Sequence, residues 1–374
     1  MLIPSSGTSR GSVPRDRVTC DTLEVDKVEG FVPTSSHSQL NFTIMSLDLV
    51  KQYSLTAFAQ LPGPAQELLV KPLTQKALGG LLALGILRSV NKSLSQWSLN
   101  NWTRSERWQP AREIVLLTGG CSGIGKQVME DLAKTGVRVV ILDINEPNFT
   151  LPANVTFYRA DITSSANIAE VAKTIRSDHG DPTVLINNAG VGHDGTILDE
   201  PEAMIRQTFE VNTISHFLMV KEFLPAMIRA NHGHIVTIAS MASFVGLAEM
   251  ADYCGSKASA LAFHESLRQE LKAWYRAPAV RTSIIHPMWV RTPMIKMLTD
   301  NESHFRQPIM TVQTVSDAIC KQILTQNSGQ VILPANQNVA SLVRGLPSWL
   351  QEGIRSVVSG SLRKLRDVQQ KEGL

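Results

Sequence analysis

The feature that most constrains the fold of this chain is an alternation of short apolar stretches and longer amphipathic ones that begins at Glu113. The stretches "EIVLLT" and "VRVVILD" are typical of buried strands, and "SGIGKQVMEDLAKTG" between them has the spacing of a helix that ends at Gly136. The alternation continues as far as "QVILP" and gives seven strands in all. Strands separated by helices require crossover connections, so the sequence predicts an α/β protein with a doubly wound, seven-stranded parallel sheet.

Composition and length are consistent with one large globular domain that carries appendages, or with two ordinary domains. The chain has 374 residues, of which 43% are hydrophobic and 18% charged, and its formal charge is +3. So small a charge, without runs of basic residues and aromatics, argues against a nucleic-acid partner. The four cysteines lie far apart without metal-ligand spacing, so we expect no metal site and free thiols.

We expect four segments along the chain. Residues 1–44 are rich in Ser, Pro, Thr and Arg, and they read as a disordered tail that an alternative start at Met45 would remove. Residues 45–110 form an N-terminal segment, residues 111–335 form the catalytic domain, and residues 336–374 form a tail. The acidic residues of the first segment and its lack of an apolar run argue against a secretory or organellar leader.

The N-terminal segment contains an unbroken apolar run from Ala77 to Leu87, between Lys76 and Arg88. Eleven residues are fewer than the ~20 that cross a bilayer, so a membrane-interface anchor or a re-entrant hairpin fits better than a transmembrane helix. A buried core helix is the alternative. We therefore expect an intracellular protein at a membrane surface, such as that of the endoplasmic reticulum or of a lipid droplet, with a cytoplasmic location as the alternative.

The C-terminal tail places apolar residues at the spacing of one helical face. They are Leu346, Trp349, Leu350, Ile354, Val357, Val358, Leu362 and Leu365. Arg355, Arg363, Lys364 and Arg366 are available for the other face, so the tail is predicted to be an amphipathic helix. It could close over an active site, lie on a membrane surface, or pack on the domain.

A glycine-rich loop, "TGGCSGIG" from Thr118 to Gly125, joins the first strand to the first helix. Its glycines allow a sharp turn and a close approach of the backbone to a pyrophosphate at the helix N-terminus. Asp143 ends the second strand, where a carboxylate can accept hydrogen bonds from a ribose and would repel the extra phosphate of NADP. The sequence thus predicts a Rossmann-type dinucleotide site that favours NAD, with NADP as the alternative.

A second motif, "DYCGSK", carries the chemistry. Tyr253 and Lys257 are four residues apart and share one face of a predicted helix. A nearby ammonium favours the phenolate and so lowers the pKa of a tyrosine, which makes the phenol a usable acid and base. Ser240, at the end of the strand "HIVTIAS", could hydrogen-bond the same substrate oxygen.

With these motifs in this order, residues from about 113 to 334 resemble the short-chain dehydrogenase/reductase family. The resemblance implies that Tyr253 is the general acid and base, that Lys257 holds the nicotinamide ribose, and that Ser240 polarises the substrate oxygen. It also implies that Asn212, in "EVNTISHF", holds a water of the proton relay. Family members commonly form dimers or tetramers through the helices that carry Asn212 and Tyr253, so a homo-oligomer is possible.

The same resemblance implies a set of cofactor-binding residues. They are Thr118, Gly119, Ser122, Gly123, Ile124, Gly125, Asp143, Asp161, Ile162, Asn188, Ala189, Gly190, Tyr253, Lys257 and Thr292. Asn188 to Gly190 belong to "NNAG", which supports the central strands. The family usually has Pro-Gly where this chain has Pro287-Met288, and that departure bears on Thr292. The chain is most similar to the membrane-associated retinol and hydroxysteroid dehydrogenase branch, and in general character to fungal members.

Apolar residues surround the catalytic motifs, and methionines among them suit a bulky guest of adaptable fit. They are Met241, Phe244, Val245, Met250, Met288, Trp289, Met294 and Met297. We therefore expect hydride transfer between a nicotinamide and a small lipophilic alcohol or carbonyl compound that is retinoid-, steroid- or lipid-like. A tailoring enzyme of a secondary-metabolite pathway and a non-catalytic membrane or lipid-droplet scaffold are the alternatives.

Overall fold

The computed structural model describes residues 52–53, 56–300, 302, 305 and 307–372. The tail expected over residues 1–44 and the alternative start at Met45 lie outside these residues. The side chains of Met297, Leu362, Lys364 and Leu365 also lie outside the description. Contacts divide the chain into two units, Met1–Leu84 and Gly85–Leu374.

Helices α1 (Gly63–Val70) and α2 (Pro72–Leu99) precede the sheet. The apolar run from Ala77 to Leu87 lies inside α2, none of whose residues is buried. The exposed large apolar side chains of α2 are Leu73, Leu78, Leu81, Leu82, Leu84, Ile86, Leu87, Val90, Leu94 and Trp97. The alternative prediction, that the apolar run forms a buried core helix, is therefore wrong for α2. Across the described residues, no helix combines the length and apolarity needed to cross a membrane.

The catalytic domain alternates strands and helices as the sequence predicts. The strands are β1 (Ile114–Thr118), β2 (Arg138–Asp143), β3 (Val155–Arg159), β4 (Val184–Asn187), β5 (His234–Ile238), β6 (Arg281–Pro287) and β7 (Gly329–Leu333). The helices are α3 (Gly123–Ala133), α4 (Ser165–Asp178), α5 (Glu202–Phe209), α6 (Ser215–Ala230), α7 (Ala251–Ala273), α8 (Lys296–Asp300), α9 (Val312–Thr325) and α10 (Ser348–Glu372).

The seven strands form one sheet in the order β3-β2-β1-β4-β5-β6-β7, and the strand pairs are parallel. The order reverses between β1 and β4, because the chain leaves β1 toward β3 and returns to the other side of β1. Ligands of doubly wound sheets bind at such a reversal, outside the carboxyl ends of the strands. The predicted Rossmann-type fold with a seven-stranded parallel sheet is thus confirmed.

Both faces of the sheet are covered, as the apolar character of its strands requires. Along β1, Ile114 and Leu116 belong to the core on the side of α4, α6 and α7. Val115 and Leu117 belong to the core on the other side, with residues of α3 and α9. Successive strand residues point to opposite faces, so an uninterrupted apolar strand supplies both cores.

The helix predicted between β4 and β5 is interrupted around Asn212, one of the predicted site residues. Residues Glu210–Ile214 form one π-helical turn between α5 and α6, and Asn212 lies in its middle. A π turn inserts one extra residue into a helix and is frequent at functional sites. Periodicity alone does not reveal it, since the residues before and after it still follow a helical pattern.

The C-terminal end of α2 is fixed to the catalytic domain by Arg281 of β6. The Arg281 guanidinium donates to the carbonyl oxygen of Asn100 at 2.7 Å, to Thr103 Oγ1 at 2.8 Å and to the carbonyl oxygen of Arg104 at 2.8 Å. Arg281 is only 3% exposed. Because a cation interacts favourably with the last carbonyls of a helix, this arrangement, which we call the helix-end clamp, ties residues 100–104 to the sheet.

Candidate active site

The carboxyl ends of the strands open into a cavity of about 1130 Å³. Its lining includes residues of the glycine loop, the ends of β2 and β4, and the segment that follows β5. Among the residues expected at the site, those that line it are Gly119, Ser122, Gly123, Ile124, Asp143, Asp161, Ile162, Asn188, Ala189, Gly190, Ser240, Tyr253, Lys257 and Thr292. The structure therefore brings together most of the predicted set.

The glycine loop has the backbone geometry that only glycine adopts readily. Gly119 and Gly123 have φ of +68° and +51°. A Cβ on Gly125 would lie 2.0 Å from the carbonyl oxygen of Gly119, so a side chain there would force the loop away from α3. A Cβ on Gly123 would lie 3.2 Å from Thr292 Cγ2, which places Thr292 beside the loop despite the Pro287-Met288 departure.

Thr118 and Asn188 hold this loop in shape through hydrogen bonds. Thr118 Oγ1 accepts hydrogen bonds from the backbone N–H groups of Asn188 and Ala189, each at 3.0 Å. Asn188 Nδ2 donates to the carbonyl oxygens of Thr118 and Gly119 at 2.9 and 3.0 Å. Thr118 and Gly125 are buried and do not line the cavity, so they act by holding the loop in shape rather than by touching a ligand.

Asp143 is fixed at the edge of the cavity by two backbone N–H groups. Its Oδ2 accepts from Cys121 N and its Oδ1 from Asn145 N, both at 3.0 Å. The Cys121 thiol lies close to this carboxylate, and burial together with the negative charge and hydrogen bonding of Asp143 raises the pKa of Cys121 to about 12. The carboxylate is thus presented in one orientation at the end of β2.

Ser240 and Tyr253 face each other across the cavity floor. Ser240 Oγ accepts from Ala242 N at 3.2 Å, and a hydrogen bond between the Ser240 hydroxyl and Tyr253 favours the phenolate. His286, which is fully buried in β6, lies 3.0 Å through Nδ1 from the carbonyl oxygen of Ser240. Because a carbonyl can only accept, Nδ1 carries the proton and holds the Ser240 backbone in place.

Lys257 and Asn212 are buried polar residues next to this pair. Lys257 Nζ donates to the carbonyl oxygen of Ile238 at 3.1 Å and sits 5.6 Å from the centre of the Tyr253 ring. Asn212 is fully buried and does not line the cavity. Its amide bonds the backbone N–H and C=O of Val191 at 2.9 and 2.8 Å, so it fixes the segment after β4 next to the site.

The ionisation of the two central groups is governed by burial. Burial raises the pKa of Tyr253 to about 12 and lowers the pKa of Lys257 to about 8. The expectation that Lys257 lowers the pKa of Tyr253 below its ordinary value therefore does not hold in this structure, where Ser240 is the group that favours the phenolate. The reason is that both groups leave water, and desolvation disfavours the charged form of each.

Of the apolar residues expected around the site, six line the cavity: Met241, Val245, Met250, Met288, Trp289 and Met294. Phe244 instead is buried and packs against His286, with ring centroids 4.6 Å apart and the ring planes tilted by 41°. Met297 cannot be placed, because its side chain lies outside the described residues. The predicted apolar character of this side of the cavity is therefore largely met by residues that adjoin the catalytic motifs.

Sequence reasoning missed the contribution of the C-terminal part of the chain. The 3-10 helix Ala335–Gly345 and helix α10 supply further lining residues, among them Val343, Ile354 and Arg366. The one available signal was the apolar face of the tail, which was compatible with three different positions. His286 and Glu249 were also missed, because a lone histidine in a strand and a lone glutamate in a loop carry no motif.

The residues present fit a nicotinamide dinucleotide. Helix α3 begins at Gly123 without a side-chain cap, so N–H groups of its first turn remain available to a pyrophosphate beside the positive-φ glycines. Asp143 and Asp161 line the region expected for the adenosine half, and Lys257, Tyr253 and Thr292 line that expected for the nicotinamide half. The bound cofactor would supply the hydride donor or acceptor.

Comparison with known proteins agrees with this geometry. Residues 113–303 match the short chain dehydrogenase family. The chain is 42% identical over 207 residues to Dehydrogenase RED2 of Cochliobolus heterostrophus, which covers 55% of this chain and 78% of that protein. It is 35% identical over 243 residues to estradiol 17-beta-dehydrogenase 11 of Homo sapiens, which covers 63% of this chain and 79% of that protein.

Among solved structures, 4-hydroxyisoleucine dehydrogenase complexed with NADH superposes with a TM-score of 0.54 at 20% identity, over 59% of this chain and 96% of that one. At that identity the likeness concerns the fold. The family match covers about half of the chain and includes the glycine loop, Ser240, Tyr253 and Lys257. The protein therefore belongs to the short-chain dehydrogenase/reductase family, and is an NAD(P)-dependent oxidoreductase acting on CH–OH groups.

Proposed function

We propose that the protein transfers hydride between NAD and a lipophilic alcohol or its carbonyl counterpart at a membrane surface. The observation that carries the proposal is the position of Ser240, Tyr253 and Lys257 on the floor of a cavity whose substrate side is lined by methionines, Trp289 and aliphatic residues. An apolar cavity with a few convergent polar groups favours a lipophilic guest that presents one oxygen to them.

The proton is handled by Tyr253. In alcohol oxidation the phenolate of Tyr253 takes the hydroxyl proton, and in carbonyl reduction the phenol returns it to the oxygen. The Ser240 hydroxyl orients that oxygen, since its backbone is held by His286 and its Oγ by Ala242 N. Lys257 is held by Ile238, and its ammonium is suited to hydroxyl groups of a ribose.

A preference for NAD is supported by Asp143. Its carboxylate is fixed by Cys121 N and Asn145 N at the edge of the cavity. Ribose hydroxyls can donate to such a carboxylate, whereas a ribose phosphate would be repelled by its negative charge. NAD-linked chemistry favours oxidation of the alcohol in cells.

Membrane association is supported by α2. Its exposed leucines and Ile86 surround the helix rather than face a core, and Lys76 and Arg88 flank the apolar run. Such a helix suits the interface of a bilayer or lipid droplet, where lipophilic substrates also accumulate. A homo-oligomer through α6 and α7 is supported by the exposure of Phe217 of α6, at 48%, and of Ile214 in the π turn before it, at 40%.

The test compares the wild-type protein with Tyr253→Phe. NADH formation from NAD⁺ is followed at 340 nm with retinol, an estradiol-type steroid and a long-chain alkanol, and cofactor affinity is measured by quenching of tryptophan fluorescence. We expect turnover to fall at least 10³-fold in the variant while NADH affinity changes less than threefold. Equal turnover by the two proteins would refute the assigned role of Tyr253.

Membrane association is tested separately by flotation with phosphatidylcholine vesicles. A chain that lacks residues 1–91 keeps the helix-end clamp and should no longer float, whereas the full chain should. The cut avoids residues 96–104, which hydrogen-bond to the catalytic domain. Flotation of the truncated chain would assign the membrane contact to another part of the protein.

A further inference from the structure

A segment that follows the matched family domain forms one wall of the active-site cavity. The match ends at residue 303, whereas residues 335–366 contribute many lining side chains. The apolar ones are Val339, Ala340, Val343, Leu346, Ile354 and Val358. We call residues 335–366 the C-terminal wall. Part of the substrate compartment is therefore built from residues beyond the stretch that matches the family.

The first part of the C-terminal wall is fixed to the segment that follows Ser240. Arg344 Nε donates to the carbonyl oxygen of Phe244 at 3.1 Å, and its Nη2 donates to that of Ser243 at 3.2 Å. The Ser243 hydroxyl in turn donates to the carbonyl oxygen of Lys257 at 2.8 Å. The wall and the catalytic residues thus share one hydrogen-bonded support.

The second part of the wall is fixed to the same loop nearer to Tyr253. Ala248 N donates to Ser359 Oγ of α10 at 3.1 Å, and Arg366 Nη1 lies 3.4 Å from Glu249 Oε1. Both Glu249 and Arg366 line the cavity. Contacts at Ser243, Ala248 and Glu249 therefore place the wall along the loop that joins the catalytic serine to the catalytic tyrosine.

Glu249 has a strained backbone at this point. Its φ is +65°, a value that residues other than glycine, asparagine and aspartate rarely adopt. Its carbonyl oxygen accepts from Gly195 N at 3.2 Å. Such strain persists where surrounding contacts over-determine the conformation, and it is concentrated at functional sites. The side chain of the same residue forms the ion pair with Arg366 on the wall.

The wall also defines the shape of the compartment. Ile354 and Arg366 lie on one helix and both line the cavity, and twelve residues of an α-helix correspond to about 18 Å. The cavity lining therefore extends along α10 well beyond the dimensions of the reacting CH–OH group, with Ile354 and Val358 as its apolar side chains and Arg366 as a charged one. A compact polar substrate would leave most of this surface without contact.

We infer that the C-terminal wall is a specificity element that selects an elongated lipophile, with a hydrocarbon chain that runs along α10 while its oxygen meets Ser240 and Tyr253. The inference rests on the proposed function and names its substrate class more closely. Residues such as Ile354 would contact the chain of the substrate and not the reacting carbon. The wall thus discriminates by chain length.

The experiment uses a series of straight-chain 1-alkanols from butanol to decanol. With the wild-type protein and NAD⁺, kcat/KM should rise about fourfold per added methylene, because each one is removed from water. The same series is tested for displacement of a fluorescent polyene alcohol from the protein, which measures binding without turnover. The variant is Ile354→Trp, whose larger side chain would occupy the wall side of the cavity.

The matched control is Ser356→Trp, an exposed position of α10 that does not line the cavity. The decanol-to-butanol ratio of kcat/KM should fall at least tenfold in Ile354→Trp and less than twofold in Ser356→Trp, and the ratio of displacement constants should change in the same way. Quenching of tryptophan fluorescence by NADH reports that both variants fold. A ratio near unity in the wild-type protein, or one unchanged by Ile354→Trp, overturns the inference. Chain-length-dependent displacement without any turnover would support the wall and refute the proposed function.

Discussion

The helix-end clamp gives the most direct test of how the N-terminal part of the chain is joined to the catalytic sheet. Replacement of Arg281 by methionine keeps the apolar stem but removes every donor. The carbonyl oxygens of Asn100 and Arg104, each 2.7–2.8 Å from the guanidinium, would then have lost a charged partner. Thr103 Oγ1, at 2.8 Å, would lose one as well.

The size of the effect follows from the burial of these groups. An unsatisfied buried acceptor costs about 1–3 kcal/mol. The carbonyl oxygen of Asn100 still accepts from Thr103 N and Oγ1 at 3.1 and 2.8 Å, so the carbonyl oxygens of Thr103 and Arg104 are the acceptors that lose their partner. The variant also avoids the desolvation of a buried cation. We therefore expect Arg281→Met to lower the free energy of unfolding by about 3 kcal/mol. For a domain of this size, about 2 °C of melting temperature corresponds to each kcal/mol, so Tm should fall by about 6 °C.

The assay is thermal unfolding followed by circular dichroism, with urea unfolding as a second measure. Arg206→Met is the matched control, since Arg206 forms an ion pair with Glu202 in which both side chains are about three-quarters exposed. Such a pair contributes at most about 1 kcal/mol. A Tm for Arg281→Met within 1 °C of that of Arg206→Met would refute the reasoning, because it would show that the buried guanidinium contributes no more than an exposed one.

Three further predictions concern the active site. Asp143→Asn keeps an acceptor for Cys121 N but removes the charge, so the ratio of NADPH to NADH dissociation constants, measured by fluorescence titration, should fall at least tenfold; an unchanged ratio would contradict the role of the carboxylate. Glu249→Gly and Glu249→Ala both remove the ion pair to Arg366, but only glycine adopts the positive φ without strain. In urea unfolding, Glu249→Gly should therefore be more stable than Glu249→Ala by about 1 kcal/mol, and equal midpoints would show that the backbone there is unstrained. Since the pKa of Tyr253 is raised to about 12, the phenolate is the minor form at neutral pH, and kcat for alcohol oxidation should rise from pH 6 to pH 9 in stopped-flow assays while carbonyl reduction does not; a falling oxidation profile would exclude Tyr253 as the base.

The central fold and most of the site were accessible from the sequence because each depends on local patterns. Buried parallel strands must be apolar on both faces, and the glycine loop must combine positive φ at Gly119 and Gly123 with close packing at Gly125. Each of these requirements concerns residues that are close together in the sequence, so a local pattern predicts it. The spacing of Tyr253 and Lys257 likewise follows from one helix.

The features that the sequence does not predict depend on contacts between residues that are far apart in the chain. The π turn at Glu210–Ile214 is read from backbone hydrogen bonds, and Arg281 meets its partners some 180 positions away in the chain. The wall formed by residues 335–366 was one of three positions open to an amphipathic tail, because periodicity predicts a face but not its partner. The dominance of burial over Lys257 in setting the pKa of Tyr253 also requires the packed structure.

The placement of Cys121 in the glycine loop has a consequence for how the enzyme tolerates oxidants. Peroxides and alkylating reagents attack the thiolate, and a thiol whose pKa is about 12 is almost entirely protonated at neutral pH. Burial is the main reason that this sulfur stays in its unreactive form, and the carboxylate of Asp143, which anchors the ribose in the proposed function, adds to it through its charge and hydrogen bond. One side chain thereby contributes both to dinucleotide recognition and to resistance of the loop to oxidation.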